Sequence, residues 1–255
     1  MNDPERTGRA ARSKVPEVTL AFWIIKIAAT TLGETGGDAV SMSMGLGYLV
    51  STGIFAALFA VAVVAQMRAR QYHPFIYWAT IVATTTVGTT LADFADRSLG
   101  IGYAGGTTIL VLLLVLSLFT WHLVLGSVSI DTVSSPGAEA FYWLTIMFSQ
   151  TLGTALGDWT ADTAGLGYAR AAMVFSALLA LVVAAYYLTR VSRTLLFWVA
   201  FVLTRPLGAV VGDFLDKPAD AGGLELSRYT ASAVLFALMV VLILLAPRRA
   251  TRKGH

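Results

Sequence analysis

The sequence predicts an all-α polytopic membrane protein: eight transmembrane helices built from four tandem two-helix repeats, with pseudo-fourfold or paired twofold symmetry. Three observations predict it. The chain of 255 residues is 56% hydrophobic and only 13% charged, where a soluble domain is nearer one-quarter charged. Eight apolar segments, at about 18–40, 48–66, 74–95, 103–126, 139–160, 168–189, 194–214 and 229–247, reach the roughly 17–25 residues of a spanning helix. One pattern also occurs four times. An aromatic-Trp pair (Phe22-Trp23, Tyr77-Trp78, Tyr142-Trp143, Phe197-Trp198) is followed by Gly ten residues after the Trp and Asp fifteen after it. A repeat at fixed period governs the fold reading.

In chain order, a basic tail (1–17) precedes repeat 1 (18–66) and repeat 2 (67–126). A connection (127–138) leads to repeat 3 (139–190), repeat 4 (191–247) and a second basic tail (248–255). The first helix of each repeat carries the Trp, Gly and Asp and is expected at the centre. The second is plainer, as in Leu49–Gln66 or Thr107–Leu125, and is expected in an outer layer. Three repeats join their helices through Gly45-Leu46-Gly47-Tyr48, Gly100-Ile101-Gly102-Tyr103 and Gly165-Leu166-Gly167-Tyr168, which read as turns. There the Tyr lies ten residues past the Asp; in repeat 4, Tyr229 lies sixteen past Asp213, a six-residue insertion. The connection 127–138 lacks Lys and Arg and is the longest, which marks a boundary between halves, as do Trp spacings of 55, 65 and 55.

Two spans per repeat bring both ends and all inter-repeat connections to one face, which carries twelve of the 18 Lys and Arg. The positive-inside rule makes that face the cytoplasmic side of a bacterial inner membrane, with the Trp at its interface and the Tyr at the outer one. The first seventeen residues are polar and basic without a cleavage pattern, so no signal peptide is expected.

Several classes are excluded. With no Cys there are no disulfides, thiolate metal sites or Cys nucleophiles. His73, His122 and His255 lie at ends or connections, and no Ser-His-Asp set or phosphate-cradling Gly loop with a Lys occurs. The expectation is a non-enzyme. The net charge of +3 sits beside the spans and points to no nucleic acid.

The aromatic-Trp opening, the Gly ten residues on, Gly157-Asp158, Gly212-Asp213 and the Gly-x-Gly-Tyr endings resemble a bacterial family of four tandem two-helix repeats of unknown function. The likeness runs from about Val18 to Pro247; it implies this architecture and no established activity. Glu34-Thr35-Gly36-Gly37-Asp38 is also similar to the Glu-x-Gly-Asp-Lys signature of a cation and manganese transporter family. It departs by an extra Gly and a missing Lys, and only repeat 1 has the Glu.

Candidate site residues fall on the first helices. Gly33 with Gly37, Gly153 with Gly157, Gly208 with Gly212, and Gly88 with Ala92 are small residues four apart, which lets helices approach closely in lipid. Asp38, Asp93, Asp158 and Asp213 follow at one depth, about 22 Å along the helix from each Trp. Thr31, Thr86 and Thr151 stand eight after the Trp; Thr30, Thr85, Gln150 and Arg205 seven after; Glu34, Thr89 and Thr154 eleven after. Two readings compete: aspartates that fix the outer turns, or a ring lining a cation pathway. The polar stripe exceeds what a turn requires. Arg205 is expected to pair with Glu34 or with a neighbouring Asp, Lys26 to snorkel to the cytoplasmic interface, and Pro206 to kink or unwind its helix.

Glu34 and the four aspartates against Lys26 and Arg205 favour a cation. Carboxylate and hydroxyl ligands suit a hard one: Mn²⁺, Mg²⁺, Ca²⁺, Na⁺ or H⁺. The expectation is a transporter or channel, with proton coupling open, whose metal ligands are Asp38, Asp93, Asp158, Asp213 and Glu34. Thr31, Thr86, Thr151, Gln150 and Arg205 line its pathway. No cofactor is implied beyond a bound hard cation. The partners are the bilayer and that cation, and a homo-oligomer stays open. The rival is a non-transporting membrane scaffold or partner-binding protein; an enzyme using paired acids comes third.

Overall fold

The computed structural model describes residues 13–246 and 249–251. The tail residues Arg6, Arg9, Arg12, Arg248, Arg252 and Lys253, which enter the sidedness argument, lie outside them. The described residues form eight long helices: α1 (Leu20–Asp38), α2 (Tyr48–Arg68), α3 (Pro74–Asp93), α4 (Tyr103–Leu125), α5 (Pro136–Asp158), α6 (Gly167–Leu188), α7 (Arg193–Asp216) and α8 (Arg228–Leu245). Starts are set locally. Thr19, Ser135 and Ser192 accept hydrogen bonds from the first-turn amides of α1, α5 and α7, and Pro74 and Pro136 open α3 and α5, where a missing N–H costs nothing.

The inner helices of repeats 1–3 do not stop at their Asp. Each continues as one π-helical turn, Ala39–Ser43, Phe94–Ser98 and Trp159–Thr163, before reversing at the Gly-x-Gly pair. Those glycines have φ between 69° and 75°, the left-handed region that a side chain disfavours. Repeat 4 differs: α7 remains α-helical to Asp216, with Pro206 inside it and no break there. Its insertion forms a short 3-10 turn at Ala219–Ala221.

The four inner helices make a ring, α1 against α3, α3 against α5, α5 against α7, and α7 back against α1. The outer helices cover it in an offset manner. α2 packs on α3, α4 on α5, α6 on α7 and α8 on α1, so each hairpin reaches forward to cover the next repeat's inner helix. The expected central and peripheral layers are therefore present, with the partners shifted by one repeat.

Small residues make the ring tight. A Cβ on Gly33 would stand 2.1 Å from Thr85 Oγ1, on Gly88 2.8 Å from the Gln150 backbone, on Gly153 2.1 Å from Arg205 Cγ, and on Gly208 2.1 Å from Thr30 Oγ1. The glycine ten after each Trp thus receives the residue seven after the next Trp. At one end the ring is filled by aromatic pairs that follow the same cycle: Phe22 on Trp78, Tyr77 on Trp143, Tyr142 on Trp198 and Phe197 on Trp23, with centroids 5.5–6.2 Å apart. Trp78, Trp143 and Trp198 are buried in this core, with their faces spent on neighbouring aromatics.

Within the aromatic layer the Tyr77 and Tyr142 hydroxyls share a 2.6 Å hydrogen bond, while their counterparts Phe22 and Phe197 meet as bare rings. These hydroxyls set repeats 2 and 3 apart from repeats 1 and 4. Tyr77→Phe should leave the Tyr142 hydroxyl unpaired and cost about 1–3 kcal/mol, while the double change to Phe should be nearly neutral. Thermal melts in detergent check this; a double mutant worse than the single would contradict it.

The chain ends close this face. Pro16 bridges Ala250, Glu17 N–H donates to Arg249 O, and Thr251 N–H donates to Val15 O. Lys14 pairs with Glu139 at 2.7 Å, and Val15 is buried against the aromatic core. Both ends therefore leave the bundle on one face.

Six helices, α2, α3, α4, α6, α7 and α8, are long and apolar enough to cross a membrane. By composition α1 and α5 are not, since they carry Lys26, Glu34 and Asp38, and Glu139, Gln150 and Asp158. The outer helices present exposed apolar side chains such as Val61, Leu112, Leu181 and Leu244.

Candidate functional site

Below the aromatic layer the ring axis holds three further layers, each supplied by equivalent positions of the inner helices. Three residues after the Trp stand Lys26, Ile81, Ile146 and Phe201, all fully buried. Lys26 is 0% exposed, its ammonium 4.1 Å from the centre of the Phe201 ring. The expectation that it snorkels is corrected. Its stem runs inward onto an aromatic face, which attracts a cation, and no bulk water is within reach.

The next layer is organised by Arg205. Its Nη2 donates to Glu34 Oε2 at 2.9 Å, to Thr89 Oγ1 at 2.7 Å and to Thr154 Oγ1. One guanidinium from α7 therefore reaches α1, α3 and α5, at the position eleven after each of their Trps. The corresponding residue of repeat 4 itself is the small Ala209. Of the two expected partners of Arg205, the structure has Glu34. Both are buried, at 0% and 3% exposure, so the pair's value lies in mutual compensation: a lone charge here would be very costly.

Thr31, Thr86 and Thr151 turn their hydroxyls back onto Ile27, Val82 and Met147 carbonyls of their own helices at 2.7–3.0 Å. They are buried, but the axial polar contacts come from the positions seven and eleven after the Trp. Gln150 is fully buried beside Gly88, with no hydrogen bond to its amide among the described residues.

The carboxylate layer closes the other end. All four aspartates are buried, and they do not stand alone. Lys217 bridges Asp38 at 2.7 Å and Asp213 at 3.0 Å. Arg97 bridges Asp93 at 3.1 Å and Asp158 at 3.2 Å. Arg228 holds Asp216 at 3.0 Å and approaches Asp38 at 3.8 Å. The arrangement is paired twofold, one cation for each adjacent pair of aspartates. The five expected metal ligands do not converge on one point: Glu34 belongs to the Arg205 layer, and Asp93 and Asp158 to Arg97. The three carboxylates brought within 4.8 Å of one another are Asp38, Asp213 and Asp216.

Arg97, Lys217, Asp216 and Arg228 are absent from the sequence-derived site. The signal for two of them is present, because Arg97 and Lys217 each lie four residues after an aspartate, one helical turn on the same face. A helix taken to end just past the Asp hides that spacing. Their inclusion also corrects the charge balance, since five carboxylates here meet three cations. This end keeps an acidic excess, while Lys26 and Arg205 make the middle of the axis basic. Burial alone would lower Lys217, but Asp213 and Asp38 outweigh it and hold its ammonium well above the ordinary lysine range.

No curated protein and no solved structure matches the chain. A family model does, over residues 21–72, 76–126, 141–192 and 196–251. These four segments coincide with the four hairpins and take in every layer of the axis. The chain thus belongs to the family described as Repeat of Unknown Function (DUF347).

Proposed function

We propose that all eight helices cross a bacterial inner membrane with both chain ends in the cytoplasm, and that the chain moves a small hard cation along the ring axis. One observation carries the reading: Arg205 joins all four inner helices through Glu34, Thr89 and Thr154, inside a ring otherwise covered by apolar helices. Ionisable groups at such depth are expensive and by default mark ion or proton routes. The polar content that keeps α1 and α5 from looking like spanning helices faces this axis, whereas Leu20, Ile24 and Leu144 on the same helices are exposed and apolar. The acidic end suits cation entry. The aromatic layer and the Arg205 layer must both part for passage, so this conformation is closed.

The scaffold reading is favoured by a specific observation too: every one of the four aspartates already has a cationic partner. Flux separates the two. Protein reconstituted in liposomes should move at least one of Mn²⁺, Mg²⁺, Ca²⁺, Na⁺ or H⁺, as reported by indicator dyes. Asp38→Asn and Asp158→Asn should fold and lose about tenfold or more of that flux, the scale of removing a site charge. If the wild type moves none of these ions and the mutants fold, the scaffold stands.

A further inference from the structure

The six-residue insertion of repeat 4 has no counterpart in the other repeats, and it ends in a defined structure. After α7 the chain folds back on itself. Gly223 N–H donates to Pro218 O at 3.0 Å, Leu224 to Phe214 O at 2.7 Å, Glu225 to Lys217 O at 2.9 Å and Leu226 to Leu215 O at 2.8 Å. Gly223 has no room for a side chain, since a Cβ there would stand 2.0 Å from Lys217 O, and Glu225 takes a left-handed φ of 56°. The insertion therefore grips the Lys217 backbone and sets its side chain over the carboxylate layer.

Beneath it, Asp38, Asp213 and Asp216 each place one carboxylate oxygen within 4.8 Å of the other two. Oxygens sharing one Ca²⁺ at 2.3–2.6 Å stand at most about 5 Å apart, so this spacing is that of a hard-cation shell. Two of these carboxylates have spare capacity. Asp38 Oδ1 and Asp216 Oδ1 carry no hydrogen bond among the described residues, although Asp38 is 1% and Asp216 7% exposed. Buried carboxylate oxygens are normally satisfied, and unsatisfied ones have room for another ligand. Lys217 Nζ bridges two of the three, 2.7 Å from Asp38 Oδ2 and 3.0 Å from Asp213 Oδ1, while Arg228 holds Asp216.

We propose that Asp38, Asp213 and Asp216 form a divalent-cation site in which the Lys217 ammonium, presented by the insertion, is a tethered resident that an incoming Mn²⁺- or Ca²⁺-like ion displaces. This rests on the cation reading of the axis and adds its entry site and gate. An ammonium makes single hydrogen bonds and carries one charge. A divalent ion takes six or more oxygens and carries two, so it uses the two spare oxygens as well. Binding then swings Lys217 outward, where its side chain is already 11% exposed. Arg228, held by Asp216 and Ser43, stays as the wall of the site. The other half of the layer is built differently. Arg97 lies between Asp93 and Asp158, and its planar fork fits carboxylates too closely to be an easily displaced occupant.

The test is Mn²⁺ binding to the full chain in detergent, read by electron paramagnetic resonance of free Mn²⁺. Lys217→Met should bind Mn²⁺ at least tenfold more tightly than wild type, and adding Asp216→Asn should undo the gain. A folded Lys217→Met with unchanged affinity, or with no binding at all, overturns the proposal. Should that variant not fold, wild-type protein decides by labelling of Lys217 with a small amine reagent. Saturating Mn²⁺ should speed it several-fold, and unchanged labelling overturns the proposal. Binding is read apart from flux: Mn²⁺ bound with no transport upholds the site and removes the transport reading, and transport with an indifferent Lys217 does the reverse.

Discussion

Gly88→Leu should yield no folded protein, and Gly88→Ala should already be destabilised by at least about 1–3 kcal/mol, the usual cost of overpacking. The nearest atoms to a Cβ at Gly88 are the Gln150 backbone carbon at 2.8 Å and the Thr151 nitrogen at 2.9 Å. Main chain cannot rotate away, so α3 and α5 must separate. At Gly33 and Gly208 the Cβ atoms of Thr85 and Thr30 would stand 2.5 and 2.6 Å away, equally unable to rotate aside, and at Gly37 the space is looser, with Thr89 at 3.1 Å. Gly88, Gly33 and Gly208 should therefore be damaged alike, and Gly37 less. Gly53 in the outer helix α2 has nothing within 4 Å, so Gly53→Ala should be neutral or gain up to about 1 kcal/mol of helix propensity. Fluorescence-detected gel filtration of tagged variants checks this. Equal yields from Gly88→Ala and Gly53→Ala would remove the close four-helix contact.

Glu34→Ala leaves the Arg205 guanidinium buried with only hydroxyls to face, and should cost about 3–5 kcal/mol. Arg205→Gln alone is expected to be similarly damaging, because Glu34 is then the orphan. The combined Glu34→Thr and Arg205→Gln gives these helices the residues that repeat 3 carries at the same two positions, Gln150 and Thr154. That neutral pair should be more stable than either single mutant, by a coupling of a few kcal/mol in a double-mutant cycle. Additive losses would mean that Glu34 and Arg205 do not compensate each other. If the double mutant folds well and passes no ion, the Glu34–Arg205 pair is part of the pathway and not merely of its packing.

Much of the architecture was legible in the residues because the repeat imposes it. The Gly ten after each Trp, the Gly-x-Gly turns and the inner and outer layers follow from spacing, while the cost of lone charges narrows the partner of Arg205 to Glu34 or a neighbouring Asp. Other features were hidden for physical reasons. The offset covering of α3 by α2 depends on how far each turn carries the chain around the ring, and helical periodicity says nothing of that. Arg97 and Lys217 fall just past the expected spans 74–95 and 194–214, whereas a π-helical turn carries repeat 2 onward and α7 runs to Asp216. Lys26 and the Trps were judged by where such residues commonly sit in membranes. In this ring a lysine finds the Phe201 face and the Trps find each other, contacts that arise only once four helices close.

The junction of Pro16 with Ala250 sets the first and last described segments beside each other, and α8 of the last repeat covers α1 of the first. The ring consequently has no structural beginning. Joining the two ends and reopening the chain between Ser127 and Ser135 should give a circular permutant that closes the same circle, with repeats 3 and 4 now translated first. In the native order α1 is made first yet receives its cover last, so under the proposed topology its polar stripe waits uncovered until synthesis is complete. The permutant passes that wait to α5, which lacks both the buried lysine and the glutamate of α1 and is the less costly helix to leave uncovered.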